Sequence, residues 1–402
     1  MESLRELYRI GYGPSSSHTM GPRSAAQHFL SLHSDCQRFE ADLYGSLAAT
    51  GKGHLTDKAL REVFSSEGKD VEIIWYPEIE KPFHPNALTL RSLSDAGEVI
   101  FENTYYSVGG GKIVLEGEQA DQAAEVYPRA YSKMRQILDY CGEEGMQIWE
   151  FALQFEDSKI LDYMDEIWGV MIDAIERGVN AEGVLPGGLK LARKANQFNS
   201  KAGEFTAAMG NPAFAISYAL AVSEENAGGG KIVTAPTCGS CGVLPGVLYY
   251  LAKQYKFPKV RLLRALLTAG VIGNVVKTNG SISGAEVGCQ GEIGVACAMA
   301  GAAATQLLGG SIFQIEYAAE MGLEHHLGLT CDPMRGLVQI PCIERNALAT
   351  MRSIDHCTYA LLGDGRHKVS FDSVIEVMME TGQALPSLYR ETSKGGLAKV
   401  LG

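Results

Sequence analysis

The alternation of apolar and polar residues changes character about a third of the way along the chain. Before that point, residues 39–46 and 71–76 show the period of two that predicts half-buried strands. Residues 98–108 and 112–115 predict a hairpin that turns on Gly109-Gly110-Gly111, and residues 23–32 a short helix. From about residue 130 the apolar positions recur three and four apart, in long segments cut by Gly and Pro. This pattern predicts helices over 127–141, 157–177, 211–225, 244–255, 261–276, 291–308, 312–327, 343–362 and 371–381. The expected fold class is α+β: a small mixed α/β domain over 1–120, then a large all-α domain over 130–402. The polar, acidic stretch 116–125 is the expected linker.

Composition narrows the function. The 402 residues carry 35 Lys and Arg against 47 Asp and Glu, a net charge of −12, and no basic stripe. Such a surface is a poor partner for phosphate backbones, so no nucleic-acid partner is expected. A hydrophobic fraction of 46% with 20% charged residues supplies a sizeable core. The start of the sequence shows no apolar leader, so the cytoplasm is the expected compartment. The uncharged run 293–315 is long enough to cross a bilayer, but it is rich in Ala and Gly and broken at Gly309-Gly310-Ser311. It reads as a close-packed core helix, and no membrane partner is expected. A homodimer is the default assembly.

Three of the nine cysteines stand at chain breaks: Gly288-Cys289-Gln290, Thr330-Cys331-Asp332-Pro333 and Pro341-Cys342. Cys289 and Cys342 fall at or beside predicted helix N-termini, which favour thiolates. Thiolates on rigid turns suit an iron–sulfur cluster. Three of them on a 4Fe-4S cluster leave one iron open to a substrate, the arrangement a Lewis-acid dehydratase needs. Against this, separations of 42 and 11 residues match no compact metal pattern, and buried cysteine also packs simply as a small hydrophobe. Cys36, Cys141, Cys297 and Cys357 read as core. Cys238-Gly239-Ser240-Cys241 reads as a tight turn lining a pocket.

Near the N-terminus, Gly13-Pro14-Ser15-Ser16-Ser17-His18-Thr19-Met20-Gly21-Pro22 opens the first helix. The hydroxyls of Ser15, Ser16, Ser17 and Thr19, with open N–H groups, suit a carboxylate or phosphate, and His18 could hold or move a proton. Ordinary helix capping is the alternative for the hydroxyls, but three serines, a histidine and two Gly-Pro pairs within ten residues fit it less well. Lys52 and His54, on the turn Gly51-Lys52-Gly53-His54, offer a second imidazole and a cation. A third polar loop runs from Asn279 to Glu286 and leads into Cys289. His325 and His326 are adjacent, do not share a helix face, and read as supporting residues.

These segments together resemble the iron–sulfur L-serine dehydratases, a family of lyases that use no pyridoxal phosphate. The stretches that carry the resemblance are GPSSSHTMGP at 13–22, GSLAATGKGHLTD at 45–57, TYYSVGGGKIV at 104–114 and AVSEENAGGGKIVTAPT at 221–237. They continue with NGSISGAEVGCQGEIGVAC at 279–297, GLTCDPMRGLVQIPCIERNA at 328–347 and RETSKGGLA at 390–398. The resemblance implies a β-type domain fused to an all-helical α-type catalytic domain, and a 4Fe-4S cluster held by Cys289, Cys331 and Cys342. It implies β-elimination of water from L-serine to give pyruvate and ammonia. The candidate bases are His18, His54 and Lys52, the histidines preferred because an ordinary pKa near ~6.5 suits a base at neutral pH, and Ser15, Ser16, Ser17, Thr19 and Asn279 are the candidate substrate neighbours. Many members also end near a cysteine that reaches the cluster, whereas Lys399-Val400-Leu401-Gly402 carries none. The expected alternatives are a lyase for L-threonine or L-cysteine, and a non-catalytic anion-binding or redox-sensing module.

Overall fold

The computed structural model describes residues 1–118, 125–390 and 395–400. Most of the predicted linker (119–124), part of the RETSKGGLA stretch (391–394), and Leu401 and Gly402 lie outside the described residues. The chain divides into two compact units, Gly11–Ala123 and Met1–Ile10 with Ala124–Gly402.

The described residues of the smaller unit form a five-stranded sheet, in the order Asp70–Tyr76, Arg38–Tyr44, Ala87–Leu93, Val99–Gly109 and Lys112–Leu115. The first two strands are parallel and the other pairs antiparallel. A parallel pair needs a crossover, supplied here by the helices Gly45–Thr50 and Thr56–Ser66. Along Arg38–Tyr44 the alternate residues Phe39, Ala41 and Leu43 face inward. They meet Phe29 of the helix Gly21–Leu32 and Leu60 and Phe64 of Thr56–Ser66 in one core. The strand predicted over 39–46 stops at Tyr44, because Gly45 takes a left-handed backbone (φ 48°) and starts a helix. The hairpin turns on its three glycines as the sequence predicts, each with positive φ.

The larger unit is helical. Its central helix, Ile293–Leu307, is apolar all round and almost entirely buried, as a helix without a polar face must be. Around it pack Val243–Tyr255, Lys259–Asn279, Ile312–Glu324 and Cys342–Leu362. Small residues set the spacing: a Cβ on Gly322 would stand 2.7 Å from the Ala298 backbone. The uncharged run breaks at Gly309-Gly310, as expected. No single helix among the described residues is long and apolar enough to cross a membrane. Gly284–Gln290 and Ile293–Leu307 pass by length and composition only as a pair bent by 53°.

The first residues of the chain join this helical unit. The Glu156 carboxylate accepts from the Ser3 hydroxyl (2.6 Å), the Leu4 N–H (2.7 Å) and the Tyr127 hydroxyl (2.9 Å). Tyr8 donates to the Leu266 carbonyl at 2.9 Å. Helices Ile148–Phe155 and Ala195–Ala202 are additions to the predicted set, and the helix predicted over 127–141 runs from Met134 to Glu144 instead.

Candidate active site

In the smaller unit, the serine–histidine stretch forms one wide turn, Ser16–Met20, that runs directly into the helix Gly21–Leu32. Ser15 caps it: its hydroxyl accepts from the His18 N–H at 3.1 Å. Both His18 ring nitrogens are engaged, Nδ1 with the Ser17 hydroxyl (2.8 Å) and Nε2 with the Ser46 hydroxyl (2.9 Å). His54 arrives on the turn before Thr56–Ser66, and its ring centroid lies 4.6 Å from that of His18. The Thr19 hydroxyl donates to the His54 carbonyl and the Thr56 hydroxyl to the His18 carbonyl, each at 2.6 Å. Two loops far apart in sequence are thereby tied by a reciprocal pair of bonds.

The two imidazoles differ chemically. His54 Nδ1 lies 3.2 Å from the Thr50 carbonyl, which can only accept, so Nδ1 carries the proton and Nε2 the lone pair. No hydrogen bond to that Nε2 is found among the described residues. Burial lowers the His54 pKa to about 4. Burial first, and then the neighbouring His54, hold that of His18 well below 6.5. Both rings are therefore neutral at neutral pH. Ser15, Ser16, His18, Thr19 and His54 are buried, while Lys52 is exposed, its ammonium 5.6 Å from the Trp75 ring.

In the helical unit the three cysteines come from three separate segments. Cys289 lies in the short turn Gly288–Gln290, just ahead of Ile293–Leu307. Gly288 must be glycine there: its φ is 74° and a Cβ would meet the Leu329 carbonyl at 2.6 Å. Cys342 is the first residue of Cys342–Leu362. Cys331 sits on an irregular loop pinned by its own N–H to the Tyr389 carbonyl (2.8 Å). The next residue, Asp332, accepts from the Leu397 N–H at 2.7 Å, so the GGLA end of the last quoted stretch anchors the cysteine loop.

Between the thiols stands Glu292. Its Oε2 lies 3.8 Å from Cys289 Sγ and 3.9 Å from Cys331 Sγ. These three ligand atoms lie within 4.8 Å of one another, a group able to hold a metal. Cys342 faces the same group: burial first, then Cys289 and Glu292, push its thiol pKa well up. Burial likewise raises the Glu292 pKa against the pull of its hydrogen bonds. Glycines clear the surroundings. A Cβ on Gly284 would stand 2.7 Å from Glu292 Oε2 and 3.1 Å from Cys331 Sγ, and one on Gly239 3.1 Å from Glu292 Oε1. The donor set is soft thiol with one carboxylate, which fits an iron–sulfur cluster better than a hard cation.

The turn Cys238-Gly239-Ser240-Cys241 forms part of this wall. Its neighbour Thr237 donates to Glu292 Oε1 at 2.7 Å, and Asn346 braces the turn by donating to the Gly239 carbonyl (2.7 Å). No disulfide joins any of the cysteines among the described residues. Asn279 ends the helix Lys259–Asn279, and its amide donates to the Ser132 (2.6 Å) and Val275 (2.8 Å) carbonyls. His325 pairs with His356 (3.1 Å) and His326 with the Gly322 carbonyl (2.7 Å). Glu292, Thr237 and Ser46 all lie inside the quoted stretches, yet residue-type reasoning did not single them out. A carboxylate three residues after a cluster cysteine was the signal available for Glu292.

The pattern described as serine dehydratase alpha chain matches residues 104–398, and that described as serine dehydratase beta chain matches 3–67 and 66–118. The L-serine dehydratase 1 of Escherichia coli (strain K12) is 40% identical over 450 residues, covering 99% of each chain. That alignment is longer than this chain, so the relative carries residues absent here. The L-serine dehydratase of Streptomyces coelicolor is 41% identical, covering 98% of each chain, and that of Helicobacter pylori 37% identical, covering 99% of each.

Proposed function

The chain belongs to the serine dehydratase family, with the beta-chain and alpha-chain parts in one polypeptide, and from that premise we propose that it converts L-serine to pyruvate and ammonia. The observation that carries the proposal is the meeting of Cys289 and Cys331, 42 residues apart, on one carboxylate oxygen, with Cys342 beside them. Cys289, Cys331 and Cys342 would hold a 4Fe-4S cluster. When bound, that cluster supplies a Lewis acid for the leaving hydroxyl of serine.

The chain's own groups supply the rest. We assign the base to His54 rather than His18, because its Nε2 lone pair is uncommitted while both His18 nitrogens are held by serines. Nε2 takes the proton from Cα, the Cα–H electron pair becomes the Cα=Cβ bond, and hydroxide leaves Cβ. The product, 2-aminoacrylate, tautomerises to an imine, and water hydrolyses the imine to pyruvate and ammonia. A pKa of about 4 makes His54 a weak base that is wholly unprotonated at neutral pH. His18, fixed by Ser15, Ser17 and Ser46, orients the loop around it. The serine-rich turn with Thr19 is the proposed seat of the substrate carboxylate. Asn279 is a proposed substrate neighbour through its place at the head of the loop leading to Cys289.

Anaerobic reconstitution with iron and sulfide tests the whole reading. It expects about four irons per chain, following from three thiolates on a four-iron cluster, and serine-dependent pyruvate. Protein that takes up no cluster and forms no pyruvate would be a binding module instead.

A further inference from the structure

We infer that Glu292 is the fourth protein ligand of the cluster, its carboxylate holding the iron that the three cysteines leave without a thiolate. The inference rests on the cluster reading above. Three features of Glu292 lead to it.

The first is position. Its Oε2 is almost equidistant from Cys289 Sγ (3.8 Å) and Cys331 Sγ (3.9 Å), so the carboxylate sits inside the donor set and not at its edge. The second is division of labour between the two oxygens. Oε1 accepts from the Thr237 hydroxyl at 2.7 Å, and Thr237 is itself steadied by Ser240 at 3.1 Å. One oxygen is tethered, and the other is presented to the thiols. The third is electrostatic. Glu292 has no ion-pair partner within 4.0 Å among the described residues. The nearby Arg345 sends its guanidinium to the Thr330 carbonyl at 2.7 Å. Among the described residues its charge is therefore met by hydrogen bonds and, at a distance, by Arg345, and not by a direct ion pair.

The backbone is shaped for this side chain. Gly284 comes so close to Oε2 that a methyl group there would collide, and one at Gly239 would press on Oε1. Glu292 also immediately precedes the helix Ile293–Leu307, and its N–H is bound to the Cys289 carbonyl at 3.1 Å. Ligand and cysteine are therefore positioned by the same turn. Oxygen binds iron less tightly than thiolate does, so a carboxylate is a ligand that a substrate hydroxyl can displace. A structural prop for the Cys238–Cys241 turn would need only the Thr237 bond and no second oxygen among the thiols.

The test compares the full chain with Glu292→Gln and Glu292→Asp, reconstituted anaerobically with ⁵⁷Fe. Mössbauer spectra report the environment of the distinct iron, and electron paramagnetic resonance follows its loss to a chelator, which leaves a three-iron cluster. Glu292→Gln should keep the three-cysteine cluster but lose the fourth iron about tenfold faster or more, and Glu292→Asp should restore part of the retention. Loss at the wild-type rate from Glu292→Gln, with an unchanged spectrum, would overturn the inference while leaving the cluster reading intact. If Glu292→Gln holds no cluster, Thr237→Val decides. It keeps the carboxylate but releases its tether, so a ligand role alters the distinct iron's spectrum and a prop leaves it unchanged. Wild-type protein without four irons would overturn the cluster reading itself.

Discussion

The carbonyls of His18 and His54 are bound crosswise, Thr19 donating to His54 and Thr56 to His18, and the rings above them lie 4.6 Å apart at 32°. This arrangement fixes two imidazoles side by side in one buried place, where both lose the ability to hold a proton at neutral pH. It also separates them. His18 spends both nitrogens on serine hydroxyls, and His54 spends only Nδ1.

His54→Ala should therefore lower kcat and kcat/KM together by at least about a hundredfold, the lower end of what a positioned base contributes, with cluster content unchanged. His18→Ala should cost less in kcat, and Ser46→Ala less again, since each removes support and not the lone pair. Steady-state kinetics on reconstituted protein checks the order. A larger loss from His18→Ala than from His54→Ala would exchange their roles.

Cys289→Ala, Cys331→Ala and Cys342→Ala should each abolish iron retention and pyruvate formation. Cys297 and Cys357 are buried in helices of the packed bundle, where Cys297 touches the Ser353 hydroxyl at 3.3 Å. Changing either to Ala should cost about 1–2 kcal/mol of stability through lost packing and leave the iron content intact. Iron and sulfide assays beside thermal melts separate the two classes. Retention of iron by Cys331→Ala with loss from Cys297→Ala would reassign the ligands.

Much of the larger unit was legible because its helices are long and their apolar period is strong. Ile312–Glu324 and Cys342–Leu362 fall within a few residues of their predicted bounds. The smaller unit was harder. Thr56–Ser66 follows a left-handed Leu55 (φ 55°), and a backbone conformation of that kind leaves no mark in an apolar pattern. Ala87–Leu93 is a central strand whose partners lie on both sides, a long-range fact absent from seven residues of alternation. In the site, chemistry-bearing residue types pointed to Cys289, His18 and His54. Ser46 and Thr56 are ordinary residues until the fold brings them to a histidine, so residue type gave no warning of them. The joining of Met1–Ile10 to the helical unit hangs on Glu156, which no local pattern links to Ser3.

Stability should fall on both sides of neutrality, through different histidines. His54 and His356 have pKa values lowered to about 4 and about 3, both mainly by burial. Unfolding lets them take protons at their ordinary value of ~6.5, so stability is full above that pH and is lost as pH falls towards 4. For His54, the loss is on the order of 3 kcal/mol once the pH is below 4. His367 runs the other way: its bond to Glu316, 2.8 Å long, raises its pKa to about 9. Its contribution is full below ~6.5 and is lost as pH rises through 9. Thermal melts across pH should show both limbs. His367→Gln should flatten the alkaline limb and leave the acid one, and an unchanged alkaline limb would rule out the Glu316 pair as its source.

The last prediction concerns Gly396, a residue far in sequence from the site. Its φ is 55°, and a Cβ there would stand 1.8 Å from Asp332 Oδ2, so the chain passes the aspartate only because position 396 has no side chain. That passage lets the Leu397 N–H reach Asp332 Oδ2 at 2.7 Å. Asp332 in turn follows Cys331, whose own N–H is held by the Tyr389 carbonyl at 2.8 Å. Gly396→Ala should therefore push the last described segment off the loop and let the loop carrying Cys331 move. The strained backbone alone costs about 1–2 kcal/mol, and the collision adds to it. Iron should leave the reconstituted variant faster than it leaves the wild type, although no ligand has changed. Asp332→Asn, which keeps the shape and weakens the bond, should show the same effect in smaller measure. Equal iron retention in Gly396→Ala and wild type would mean that the Cys331 loop does not depend on the Asp332–Leu397 bond.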